Sequence, residues 1–123
     1  MKYNDTVTRH FHSPVNHGVM DDADAVGDAD NAVCLDTMRL YLKVSRGVVS
    51  RASFQAGGCA PTIACGSFIT EWIIGRRVDE LRALDAGALE GAVGGLPATK
   101  KHAALLAVET LQRALNALDT TPG

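Results

Sequence analysis

Between Met38 and Ala56 apolar and polar residues alternate. Met38, Leu40, Leu42 and Val44 are interleaved with Arg39, Tyr41, Lys43 and Ser45. After Ser45-Arg46-Gly47, Val48, Ser50, Ala52, Phe54 and Ala56 continue the same register. A period of two on both sides of a short turn predicts two half-buried strands joined as an antiparallel hairpin. Gly57-Gly58 ends the second strand, and Pro61 falls where a first helical position would, so a helix is expected from there to Ile74, with Gly75 stopping it. Cys65, Phe68, Ile69 and Trp72 share one stripe of that helix at 100° per residue. A middle stretch containing Leu81, Leu84, Leu89 and Leu96-Pro97 follows. A last helix then begins near Thr99, with Ala104, Ala107, Val108, Leu111, Leu115 and Leu118 on its core-facing side.

The start of the chain is less patterned. Asn4 or Asp5 can cap a short helix through Phe11, with Val7, His10 and Phe11 as its stripe and Pro14 ending it. Ser13 to Ala32 reads as a loop that carries Asp21, Asp22, Asp24, Asp28 and Asp30 without a Lys or Arg. A short strand is placed around Ala25 to Gly27. Together these elements predict an α+β fold, a small antiparallel sheet of about three strands packed by helices.

At 123 residues the chain is sized for one domain, 1–123, able to bury roughly two-thirds of its unfolded surface. Residues 120–123 are expected to fray. The formal net charge is −2 and the cations are scattered, which argues against nucleic acid or anionic lipid as a partner. No apolar run has the length of a membrane span, and the polar first residues lack a secretory pattern, so a cytosolic location is expected. Three cysteines are an odd number for a disulfide framework and point to free thiols.

Those thiols carry the candidate chemistry. Cys59 follows two glycines and precedes a helix whose first N–H groups are unsatisfied, which favours an accessible thiolate. An ordinary buried cysteine in a tight turn is the alternative. Cys34 stands two residues before Asp36; on a strand such residues face one side, so a thiolate and a carboxylate can address one point. Asp36 taken alone also suits a solvated strand end. His102 lies at the start of the last helix, opposite its apolar stripe, which makes it either a ligand or an exposed residue beside Lys100 and Lys101. Cys65, inside an apolar stripe, reads as a small core residue. His10, His12 and His17 make a poor zinc site, because two helical positions two apart point about 200° from each other. The aspartates lack the spacing of a calcium loop, and no phosphate-binding loop, nucleophile elbow or dinucleotide fingerprint is present. Two sulfurs, a carboxylate and an imidazole suffice for a four-coordinate site if the fold unites them.

The sequence resembles the IscU/NifU-type iron–sulfur cluster scaffold proteins over nearly its whole length. The resemblance runs through Tyr3, His10, Pro14, Asn16 and Gly18, then Cys34-x-Asp36. It continues through Gly58-Cys59, Ile63-Ala64, Thr70-Glu71-Trp72, Leu96-Pro97 and Lys101-His102. It implies three loops meeting at one end of a small sheet, where a [2Fe-2S] cluster is built from iron and from sulfur delivered by a cysteine desulfurase, then passed to acceptor apo-proteins. Zinc is often held there in iron-free preparations. By this resemblance Cys34 and Cys59 fall on cluster cysteines, Asp36 on the aspartate that makes the site labile, and His102 on the third-loop histidine. There are three departures. Ala103 replaces the usual third cysteine, a frequent sulfur acceptor, and Leu35 replaces a common glycine. Leu96-Pro97-Ala98-Thr99-Lys100 differs from the motif read by the specialised chaperone, which leaves that partnership doubtful.

The leading expectation is a scaffold that binds iron or a [2Fe-2S] cluster through Cys34, Asp36, Cys59 and His102 and is not an enzyme. A zinc-holding interaction module using the same residues is the alternative. A Cys59 nucleophile with His102 as base and Asp36 orienting it is the third reading.

Overall fold

The computed structural model describes residues 3–31 and 35–119. Cys34 and the tail expected at 120–123 lie outside the described residues. The elements run α1 (Asp5–His12), β1 (Ala25–Asn31), β2 (Asp36–Ser45), β3 (Val48–Gly57), α2 (Ala60–Ile73), α3 (Val78–Leu81), α4 (Ala86–Ala92) and α5 (His102–Asp119), with a 3-10 turn at Ala98–Lys100 before α5. The sheet is antiparallel in the order β1-β2-β3. An α+β fold with a three-stranded sheet is therefore what the chain forms.

Register places one face inward. Gly27 stands opposite Leu40, and Leu40 opposite Phe54; Ala25, Leu42 and Ala52 form the next row, and Ala29, Met38 and Ala56 the row beyond. Cross-strand partners share a face, so these rows meet the helices. Leu40, Leu42 and Phe54 are fully buried there, together with Ile69, Leu111 and Leu115. Helix α5 lies against β1 and β2, while α2 packs on β3, α1 and α5. A Cβ at Gly27 would overlap the Thr110 carbonyl oxygen and the Ala114 amide nitrogen and stand 2.9 Å from Ala114 Cα. The backbone of α5 therefore rests directly on β1.

Strand β1 is longer than expected. Two of the five aspartates assigned to the loop, Asp28 and Asp30, lie in the strand and face solvent, while Ala25, Gly27 and Ala29 turn inward. Alternating small residues with aspartates offers little hydrophobic contrast, so periodicity alone hid most of it. Asp28 pairs with Arg39 across the sheet, and Asp24 accepts from the Val44 amide at 2.8 Å. The first helix differs in one residue. Val7 and His10 are buried, but Phe11 is 38% exposed, because α2 covers a narrower stripe than these three residues would fill.

His10 joins α1 to α2. Its Nδ1 lies 2.7 Å from Ser67 Oγ, a hydroxyl that also accepts from the Val15 amide, and its ring meets Phe68 edge-on. Burial holds its pKa below the ordinary 6.5, with Glu71 opposing and Arg9 adding to the shift. A base whose folded-state pKa is lowered binds fewer protons folded than unfolded, so its contribution to stability is lost as pH falls below 6.5. Melting temperature should therefore drop from about pH 7 to pH 5, and His10→Gln should flatten that slope. Parallel slopes for the two proteins would show that His10 takes up its proton equally in the folded and unfolded chains.

Candidate metal centre

Three element ends converge at one edge of the sheet. Asp36 is the first residue of β2 and lies on the same side as Met38 and Leu40, which buries it to 1% exposure. Thr37 stands opposite Gly57 in the hairpin register, so the chain leaving β3 passes beside Asp36. Gly58 makes this approach with φ +125°; a Cβ there would overlap Asp36 Oδ1 and lie 2.7 Å from Asp36 Cγ. Cys59 then caps the N-terminus of α2 in an extended conformation. His102 opens α5, the helix already laid along β1 and β2, and its side chain is 17% exposed.

The contacts are short and mutual. His102 Nε2 is 2.8 Å from Asp36 Oδ2, Cys59 Sγ is 3.5 Å from the same oxygen, and Cys59 Sγ is 3.7 Å from His102 Nε2. Asp36 Oδ1 accepts from the Cys59 amide at 3.1 Å, and Oδ2 accepts from the Thr62 hydroxyl at 2.9 Å. Burial alone would push the Asp36 carboxyl up. The Cys59 amide, the Thr62 hydroxyl, His102 and the Cys59 thiol outweigh it and hold the group below the usual carboxylate value. It is the carboxylate form that these donors stabilise.

A single ion with typical bond lengths of about 2.0 Å to nitrogen or oxygen and about 2.3 Å to sulfur would set tetrahedral edges of roughly 3.3 Å and 3.5 Å. The two edges to sulfur already match. The His102–Asp36 edge is shorter because those atoms share a hydrogen bond, and a small side-chain adjustment would open it. Asp36, Cys59 and His102 are the one group of three or more such side chains, among the described residues, whose ligand atoms lie within 4.8 Å of one another. The donor set fits a metal. It does not fit a proton relay. A Cys-His-Asp relay needs the thiol on one ring nitrogen and the carboxylate on the other, whereas here both face Nε2.

Of the four residues singled out from sequence, the structure brings together Asp36, Cys59 and His102; Cys34 lies outside the described residues. Leu35, beside it, is 80% exposed and has a φ of +58°. A leucine thus holds a left-handed conformation usual for glycine, at a cost of about 1 kcal/mol. Cys65 is 1% exposed in the core, and burial pushes its thiol up to about 12, with Cys59 and Glu90 adding to the shift. It stays a thiol. The histidine trio is dispersed: His10 binds Ser67, His12 lies beside Phe11, and His17 packs on Phe54. Ala103 is fully buried, so position 103 adds no donor.

Thr62 escaped the sequence reading. It is fully buried, bonded to Asp36, and 3.3 Å from Cys59 Sγ. Its spacing held a signal: three residues after a helix N-cap, a side chain reaches back toward the cap.

Known proteins share both the architecture and the sequence. The N-terminal part of a NifU-like protein from Brucella abortus superposes with a TM-score of 0.80 over 98% of this chain and 96% of that one, at 21% identity. This is a likeness of fold. The NifU-like N-terminal domain pattern matches residues 2–122, and the chain belongs to that family. Its relatives include "iron-sulfur cluster assembly scaffold protein IscU 1" of Archaeoglobus fulgidus, 41% identical over 92% of this chain and 74% of that protein. The Haemophilus influenzae protein named as an IscU assembly scaffold is 32% identical over 94% of each.

Proposed function

We propose that this protein is an iron–sulfur cluster assembly scaffold, with iron or a [2Fe-2S] cluster as its cargo and Cys34, Asp36, Cys59 and His102 as the holding residues. The observation that carries this reading is the meeting of a thiol, a carboxylate and an imidazole at one end of the sheet, in a chain whose family relatives are named as assembly scaffolds. Thiolates are the soft ligands that iron–sulfur chemistry requires, while oxygen and nitrogen ligands loosen the site. A holder of cargo has to release it. Sulfur would come from a cysteine desulfurase and the finished cluster would go to acceptor apo-proteins, in the cytosol. No helix among the described residues is long and apolar enough to cross a membrane.

Anaerobic reconstitution with ferrous iron and sulfide tests the reading. Visible sulfur-to-iron charge-transfer bands are expected, and Cys59→Ser should abolish or strongly weaken them. A colourless product, with Cys59→Ser indistinguishable from the parent, would remove the cluster reading.

The edge lengths around Asp36 Oδ2 support a second reading in which one Zn²⁺ occupies the same residues and the protein acts through contacts alone. Stoichiometric zinc that iron does not displace, together with desulfurase binding and no cluster transfer, would favour it.

A further inference from the structure

Among the described residues four groups hydrogen-bond to the Asp36 carboxylate, and they differ in what a metal would do to them. The Cys59 thiol and His102 Nε2 are themselves donors to an ion; on loading, the thiol gives up its proton and Nε2 turns a lone pair to the metal. Their bonds to Asp36 Oδ2 are then lost. The Cys59 amide on Oδ1 and the Thr62 hydroxyl on Oδ2 are under no such demand. One non-ligating donor therefore remains on each oxygen.

We propose that Thr62 is a positioning residue for the metal-bound state. Its hydroxyl keeps Asp36 Oδ2 aimed at the point shared by Cys59 Sγ and His102 Nε2 after the metal-free hydrogen bonds have broken. The inference rests on the reading of Asp36, Cys59 and His102 as metal ligands and adds a residue that does not itself ligate.

Three observations support it. Thr62 is fully buried, so water cannot replace its hydroxyl without rearrangement. It is the third residue of α2, and the first turn of a helix fixes its direction. Its proton is already committed: with Oγ1–H donating to Asp36 at 2.9 Å, Thr62 can only accept at its 3.3 Å contact with Cys59 Sγ, and the single thiol proton is shared between that oxygen and Asp36 Oδ2. When Cys59 ionises, the Thr62 bond to Asp36 persists and the bond from sulfur disappears. A carboxylate held from outside its metal-facing lone pair loses less freedom on binding, and such supporting bonds are worth roughly 10- to 100-fold in metal affinity.

The test is cobalt(II) titration of the full chain under reducing, anaerobic conditions. Affinity is read by competition with a chelator, and geometry from the d–d bands and the thiolate charge-transfer band. Thr62→Val keeps the shape and removes the hydroxyl; it should weaken cobalt roughly 10- to 100-fold and alter the d–d bands while the thiolate band persists. Thr62→Ser should restore the parent spectrum and most of the affinity. In an Asp36→Ala background, Thr62→Val should add almost nothing, because the partner it positions is gone. Parent-like affinity and d–d bands in Thr62→Val would overturn the proposal. So would equal weakening by Val and Ser, or a full Val effect without Asp36. Thr62→Ala provides the same comparison if the valine variant does not fold. A parent protein that takes up no cobalt would overturn the ligand reading itself, an outcome visible before any Thr62 variant is compared.

Discussion

Gly58→Ala is expected to destabilise the protein by about 3 to 5 kcal/mol and to abolish metal uptake. Two costs add at this position. A φ of +125° is backbone that side-chain-bearing residues avoid, at about 1 to 3 kcal/mol. The new methyl would also occupy the place of Asp36 Oδ1 and lie 3.1 Å from Asp36 Cα, an overpacking that costs a similar amount because it meets backbone as well as side chain. Rotation of Asp36 cannot relieve both contacts. Turning the carboxylate away would break its bonds to the Cys59 amide and to Thr62, and a buried carboxylate would lose donors. Against a typical total of about 5 to 15 kcal/mol, most of a modest margin would disappear. Chemical denaturation with cobalt binding on the folded fraction checks this; a variant as stable as the parent and still binding would mean that the β3–α2 junction yields more than its packing indicates.

Gly27→Val should cost at least about 3 kcal/mol, at the upper end of overpacking effects, although valine is the better strand residue. Strand preference returns at most about 1 kcal/mol, so the clash decides the sign. The clashing atoms are the amide of Ala114 and the carbonyl of Thr110, neither of which can rotate aside, and α5 would have to lift from β1. His102 rides on the first turn of α5, so a lift at Thr110 and Ala114 should reach the site two to three turns away along the helix. The expected signature is a lowered melting temperature together with weaker cobalt binding in the part that remains folded. Lowered stability with unchanged affinity would show that the start of α5 is held independently of its middle.

How much was legible beforehand differs by element. The β2–β3 hairpin, α2 and the core stripe of α5 announce themselves through strong periodicity, and their observed bounds differ from the expected ones by a few residues. Strand β1 was mostly hidden because Gly and Ala face α5. Their small size, needed for the close approach, removes the hydrophobic signal that would mark a strand. Period alone puts Phe11 on a buried stripe, because it says which residues share a face and not how wide the covering surface is. For the site, residue type and position at element ends single out Asp36, Cys59 and His102 in the sequence. A threonine in the first turn of a helix has many uses, and only its neighbours reveal the one Thr62 serves.

By itself the order of residues determined the β2–β3 hairpin, α2, the inward face of α5 and the chemistry of the donors, since periodicity, capping and side-chain type are local properties. It could not determine distances across 23 and 66 residues of chain. The hairpin register sets the first, Asp36 to Cys59, and the seating of α5 on a glycine strand sets the second, Asp36 to His102. Those separations depend on how closely backbones pack, a collective result of many small contacts that no single stretch of sequence encodes.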